Sequence, residues 1–455
     1  MATEPDLLVV GAGAKAAGIA AKVHSLNSLG LGPISLTIVE GTEVAASWLG
    51  RLGMTSGEEP LAVTPIKDVG FPYRSHEAFG DAGEALDEAA MRFSWQRYMV
   101  GRRRYARWID AGSPPVRHRD YGEYLRWVLA RATEGVTHVR GRVNRVTLEG
   151  ERWAVGVERE EGDSRHLAAA LVLTGPGIHR AFPHEPGIES RLFHCDSRRE
   201  DFAALPADRE CDVAVVGGGE SALSCVMFLR GFRPRARFAI YTPTLPLSRG
   251  ESFLENRVFS DPDEVGWTGL DQVTRRDFVK HSDRGVFDPP SLSAIAYDER
   301  CRFVTGRVTD VAAAGGGERV RLEHHAPHGI EAPEHDYVVN CTGFDLLAQL
   351  RTLFPAATRE QIEHRVGRLW DAPAGTEVPI GRHLELRGMA PRLQIPGLAG
   401  LSQGPGFANL GALGLLANRV LQPFYLTSPD LSNRVAKWES GDSWRPSSPS
   451  FSRSG

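Results

Sequence analysis

Two short stretches carry residue types whose spacing can hold a phosphorylated ligand. They are Gly11-Ala12-Gly13-Ala14-Lys15-Ala16 and Gly217-Gly218-Gly219-Glu220-Ser221-Ala222. In each, two glycines one residue apart let the chain turn sharply and bring its backbone against a pyrophosphate, and a small residue three positions on lets the next helix pack close to a sheet. The helix N-terminus then offers unpaired N–H groups and a partial positive charge to the anion. Leu7-Leu8-Val9-Val10 precedes the first stretch and Val213-Ala214-Val215-Val216 the second, each reading as a short buried strand. The strand that follows differs between the copies. The first, over 33–39, closes on Glu40, whose carboxylate can accept a ribose 2′-hydroxyl. The second, over 237–241, closes on Thr242, with Arg249 a few residues on. An acid at that position repels a 2′-phosphate; its absence, with an arginine nearby, favours NADP over NAD. Gly11, Gly13, Ala14 and Glu40 are the expected contacts of one dinucleotide, and Gly217, Gly219 and Arg249 those of another.

A simple dehydrogenase needs one such site. Two suit a chain that binds a flavin in one domain and a nicotinamide in the other. The fold expected is α/β, a two-dinucleotide-binding flavoprotein with two Rossmann-like domains and a small substrate-binding region. Thr174-Gly175 marks where the first domain is interrupted, and Tyr337-Val338-Val339-Asn340-Cys341-Thr342-Gly343 closes the second. The boundaries expected are 1–205 for the first part of the FAD domain, 206–344 for the NADPH domain and 345–428 for the rest of the FAD domain. A Ser/Pro/Arg-rich tail, 429–455, is expected to be disordered. Helices are expected over 84–109, 121–133 and 408–419, and strands over 139–146, 153–158 and 170–174. Gly404-Pro405-Gly406 leads into the helix over 408–419, whose N-terminus would face the flavin and stabilise negative charge on the reduced ring, with Gly406 beside it.

Composition narrows the class. The 455 residues are 42% hydrophobic and 24% charged with a formal net charge of −4, enough for a large core and with no electrostatic case for nucleic acid. No apolar run approaches the roughly 18 residues of a membrane span. Glu4 and Asp6 stand where a signal peptide would be basic, so a cytoplasmic enzyme is expected. The five cysteines lack any C-x-x-C spacing and read as reduced and metal-free. Glu323-His324-His325 reads as an exposed strand without a metal, and Arg102-Arg103-Arg104 as a solvated helix face. No H-E-x-x-H or G-x-S-x-G occurs.

Further segments carry a resemblance. Lys67-Asp68-Val69-Gly70-Phe71-Pro72-Tyr73-Arg74-Ser75, Phe93-Ser94-Trp95-Gln96, Arg249-Gly250-Glu251-Ser252-Phe253-Leu254-Glu255-Asn256, Phe259-Ser260-Asp261-Pro262, Asp283-Arg284-Gly285-Val286-Phe287 and Gln403-Gly404-Pro405-Gly406-Phe407 join the two glycine motifs. From residue 5 to about residue 425 the chain resembles the flavin-dependent N-hydroxylating monooxygenases of siderophore biosynthesis, most closely the lysine N6-hydroxylases of mycobactin- and nocobactin-type hydroxamate siderophores. The resemblance implies FAD and NADPH as cofactors, L-lysine and O2 as substrates, and a substrate loop over 60–75. It implies that Lys67 holds the substrate carboxylate and that Asn256 lies between the amino acid and the nicotinamide. It also implies that Ser221 contacts an NADPH phosphate, that Trp48 lies near the flavin, and that Asp283 is a second, less certain carboxylate anchor. A second copy of the chain is a possible partner.

Three positions depart from the ornithine hydroxylases. Ala62 replaces a flavin-contacting glutamine, which implies weaker shielding of the oxygen chemistry and release of H2O2. Asp283 replaces a substrate-contacting asparagine, and Thr242 an NADPH-gripping arginine. An ornithine N5-hydroxylase and a Baeyer–Villiger or other S/N-oxygenating enzyme are the alternatives within flavin chemistry. An electron carrier or disulfide reductase would want a redox C-x-x-C, which is lacking, and a flavin-binding module without catalysis is the remaining alternative.

Overall fold

The protein is described by a computed structural model covering residues 4–52, 55–180, 182–370 and 377–426. The tail expected to be disordered, 429–455, lies outside them.

Leu7–Val10 lies at the centre of a five-stranded parallel sheet, with Leu36–Glu40 and Val136–Arg140 on one side and Ala170–Leu173 and Arg392–Gln394 on the other. Leu7, Leu8 and Val9 have no exposed surface, as an apolar run covered on both faces requires. Helix α1, Ala14–Ser28, packs its small face (Ala16, Ala17, Gly18, Ala20) into the core. A second parallel sheet repeats the design around Cys211–Val216, flanked by Ala236–Thr242 and Cys301–Thr305 on one side and by Tyr337–Asn340 and Leu192–His194 on the other. Helix α2, Glu220–Phe232, follows its central strand. The return of Arg392–Gln394 to the first sheet places residues from the far end of the chain in the FAD half.

Four expectations need adjustment. The strand Leu192–His194 belongs to the second sheet, so the crossing between domains lies before residue 192 and not near 205. The helix expected over 84–109 is three, Gly83–Met91, Trp95–Gly101 and Tyr105–Asp110: Ser94 Oγ caps the second by accepting from the Arg97 N–H, and Arg103 adopts a positive φ of 56° before the third. The helix expected over 408–419 begins later, as α5, Leu413–Leu426. His324 is buried, because Arg319–Ala326 alternates and Val320, Leu322 and His324 share its inward face.

The two halves are joined by paired connectors, Ile178–His179 outgoing and Phe344–Asp345 returning, which form an antiparallel ribbon. Between the second sheet's strands, α3 (Phe253–Ser260) and α4 (Gln272–Ser282) reach across to the FAD half. The Trp267 indole N–H donates to Leu401 O at 2.9 Å, and Arg275 binds Leu401 O and Glu377, each at 3.0 Å.

Candidate active site

The loop that carries Lys67 is held from beneath. The Asp68 carboxylate accepts from the Trp95 N–H at 2.9 Å, the Gly70 N–H at 3.1 Å and the Tyr73 hydroxyl at 2.8 Å. Burial outweighs these bonds and raises the carboxyl to about 6. The loop backbone then wedges between α1 and α5. Phe71 O accepts from the Gly414 N–H at 2.7 Å, and a Cβ on Gly414 would stand 2.0 Å from Gly70 O, so only glycine allows this approach. One N–H of the first turn of α5 is thus used by the loop, and the helix expected from residue 408 begins at Leu413.

Lys67 emerges half-buried from this support, and its ammonium donates to Asn256 Oδ1 at 2.7 Å. An ammonium has three donors, so further N–H groups stay available to a carboxylate. Burial, and then the nearby Arg249, lower its pKa. Asn256 sits in the second turn of α3, whose start is fixed by a reciprocal capping box: the Glu255 N–H donates to Ser252 Oγ at 3.2 Å, and Glu255 Oε2 accepts from the Ser252 N–H at 2.7 Å. The Asn256 amide donates to Glu251 O and Ser252 O at 3.1 and 3.2 Å, which aims its oxygen at Lys67. Arg74 pairs with Asp261, and Arg419 binds Asp263 at 2.8 Å, so the C-terminal end of α3 and the turn after it are pinned to the FAD half. Phe253 and Leu254 stand 79% and 72% exposed at the rim of this junction.

The glycine loops lie on either side. Gly11 adopts φ 96° and Gly13 caps α1 with no side-chain cap, so the first-turn N–H groups are left for a ligand; a Cβ on Gly13 would meet nothing, which marks open space in front of the loop. Ala14 opens the helix. Glu40 ends the adjacent strand, its Oε2 accepting the Ala12 N–H at 2.8 Å and its Oε1 the Thr42 N–H at 2.9 Å. These residues fit a dinucleotide. Gly219 caps α2 in the same way, with Ser221 in the first turn, and Gly217 lies with its Cα against the Cys341 carbonyl. Trp48 packs edge-on against His118 and Tyr121 at 5.3 and 5.4 Å.

Three predicted residues take positions the sequence did not foresee. Arg249 donates to Ala62 O at 2.8 Å and to Glu251 at 3.0 Å, and lies 3.5 Å from Glu220 and 3.6 Å from Asp288, so its guanidinium is already engaged and does not stand free for a 2′-phosphate. Asp283 accepts from the Asn409 amide at 2.8 Å and from Arg284 at 3.0 Å, contacts that face away from the expected role as a carboxylate anchor. Gly406 makes room for α3, since a Cβ there would lie 2.2 Å from Phe259 O. Sequence reasoning quoted Asp68, Arg74 and Asp261 within the resembling segments without giving them roles, and passed over Asn409. The Ser252-x-x-Glu255 pattern would have located the start of α3; the contacts of Asp68 with Trp95, Arg74 with Asp261 and Asn409 with Asp283 join segments far apart in sequence.

Two parallel sheets, each with a glycine turn into a helix and with the second inserted in the first, define a two-dinucleotide-binding flavoprotein. The chain belongs to the L-lysine 6-monooxygenase/L-ornithine 5-monooxygenase family, which it matches over residues 85–346. It is 37% identical over 439 residues to the L-lysine N6-monooxygenase MbtG of Mycobacterium sp. (strain MCS), covering 94% of this chain and 97% of that one. The MbtG of Mycobacterium tuberculosis H37Rv is 37% identical over 425 residues, covering 92% and 94%. Among solved structures, the lysine monooxygenase NbtG of Nocardia farcinica superposes with a TM-score of 0.76 at 34% identity, covering 91% of this chain and 98% of that one.

Proposed function

We propose that this enzyme hydroxylates the side-chain amine of L-lysine to N6-hydroxylysine, for assembly into a hydroxamate siderophore. FAD is its resident cofactor, NADPH the reductant and O2 the co-substrate. In balance, the amine, O2, NADPH and a proton give the hydroxylamine, water and NADP+. Bound FAD supplies the oxygen chemistry; the protein binds, orients and shields. The observation that carries the assignment is the Lys67–Asn256 pair, 2.7 Å apart at the junction of the two nucleotide-binding halves.

In this reading Lys67 holds the substrate carboxylate through its free N–H groups. Asn256, fixed by its own amide bonds to the cap of α3, passes its side-chain oxygen from Lys67 to the amino acid. The first-turn N–H groups of α1 and α2 hold the FAD and NADPH pyrophosphates, and Glu40 the FAD ribose. Arg249, anchored at Ala62 O, keeps the second glycine loop in register with the substrate loop. The amine must arrive uncharged, since a protonated amine has no lone pair; a free lysine side chain titrates near about 10.4, so the pocket has to disfavour its charged form. A cytoplasmic setting suits the NADPH supply and the five cysteines, all free. Among the described residues no helix is long and apolar enough to cross a membrane.

The test is hydroxylamine formed per NADPH consumed by FAD-loaded protein, with L-lysine and L-ornithine supplied separately. Hydroxylated lysine in clear excess is expected. A methylene distinguishes such substrates by only about 1–3 kcal/mol, so some turnover of ornithine is compatible with the assignment. NADPH oxidation with no hydroxylamine from either amino acid would remove it.

A further inference from the structure

The connectors between the two halves bring together side chains that the reaction does not use. His179 ends the outgoing connector, and Cys195 and Asp196 follow the edge strand Leu192–His194 of the second sheet. His179 Nε2 lies 2.5 Å from Asp196 Oδ1. The Cys195 N–H is fixed to Asn340 O at 3.0 Å. The His179 ring is clamped between His194 at 4.1 Å and Phe344 at 5.3 Å. One ligand atom from each of His179, Cys195 and Asp196 lies within 4.8 Å of the others, the single such convergence among the described residues. Around a tetrahedral zinc with bonds of about 2.0–2.3 Å, neighbouring ligand atoms are roughly 3.3–3.8 Å apart, so the ion would have to open the 2.5 Å His179–Asp196 contact by about 0.8 Å or more.

We propose that His179, Cys195 and Asp196 form a three-ligand site for a zinc-class divalent cation, with water in the fourth position, at the crossing between the two nucleotide-binding halves. The sulfur–nitrogen–oxygen donor set selects zinc-class ions over magnesium or calcium, which prefer all-oxygen shells. Cys195 is 1% exposed, whereas the His179 and Asp196 side chains are 26% and 35% exposed, which leaves an approach for the ion and its water. Sequence spacing does not signal the site, because the ligands come from separate segments with no C-x-x-C pattern.

The experiment titrates FAD-loaded protein with Zn2+ by calorimetry and, in parallel, with Co2+ by visible absorption beyond the flavin bands. One equivalent of Zn2+ and the intense bands of tetrahedral Co2+ are expected. His179→Gln and Asp196→Asn, both at half-exposed positions, should each weaken binding more than about tenfold while retaining flavin content and metal-free lysine hydroxylation. Cys195→Ser should also change the Co2+ band intensities. No stoichiometric binding, weak octahedral Co2+ bands, or unchanged affinity in the first two variants would overturn the proposal. Those two variants decide the matter if the buried Cys195→Ser fails to fold.

Discussion

The two glycine loops share a motif and differ in what closes them. The first is tied by an acid from the next strand: Glu40 accepts the Ala12 N–H, and the loop is satisfied within its own domain. In the second, the equivalent strand ends in buried Thr242, whose hydroxyl donates to Thr244 O at 2.6 Å. The acid there lies inside the helix, as Glu220, raised to about 7 by burial and facing Arg249. Arg249 in turn reaches Ala62 O, at the head of the substrate loop. One loop is therefore self-contained, and the other is tied to the loop that carries Lys67. In the proposed function, that difference lets one motif serve a resident cofactor and the other a nucleotide that comes and goes in step with the substrate.

The largest effect expected comes from filling the second loop. A Cβ at Gly217 would stand 2.3 Å from the Cys341 carbonyl, whereas one at Gly13 meets nothing. Gly217→Ala should retain bound FAD and lose NADPH-driven flavin bleaching in stopped flow; wild-type bleaching would break the assignment of that loop. Lys67→Ala comes next. Losing a charged hydrogen-bond partner costs about 1.5–3 kcal/mol, so KM for lysine should rise roughly 10–150-fold while NADPH oxidation persists. An unchanged KM would mean the carboxylate is held elsewhere.

The smallest effect concerns the support of the substrate loop. Burial raises Asp68 from 3.8 to about 6, so folding favours its protonated form. Its contribution to stability is present in full below about pH 4 and is lost as pH rises through about 6. Asp68→Asn does not titrate there. Relative to wild type, its stability in urea should therefore improve by roughly 2–3 kcal/mol between pH 4 and 7, on top of a constant loss from mispaired donors. A difference that is flat with pH would place the charge elsewhere.

Local chemistry made the nucleotide halves readable. Glycine spacing, buried apolar strands and the acid-or-not at the next strand end are contiguous signals, and the observed Leu7–Val10 and Cys211–Val216 strands follow them. Lys67 and Asn256 came from resemblance, and the structure brings them into contact. What stayed hidden depends on distant partners. Asp68 is met by Trp95, Arg249 by Ala62, and the three-residue strand Leu192–His194 exists only because Tyr337–Asn340 lies beside it. His324 was legible in principle, since Val320-x-Leu322-x-His324 alternates onto one face, but a run of Glu-His-His reads as polar when alternation is ignored.

The contact between α1, the substrate loop and α5 also sets an order of events. A Cβ on Gly18 would lie 3.3 Å from both Val69 O and Leu413 O, so the helix that follows the first glycine loop is, one turn later, the wall behind the loop that carries Lys67. Whatever holds that helix in place stabilises the loop by mass action, by about 2.7 kcal/mol for a ligand at 100 times its Kd. If FAD binds the first turn of α1 as proposed, its loading and the ordering of this loop would be coupled, and amino acid would be drawn chiefly to chains already equipped to oxidise it.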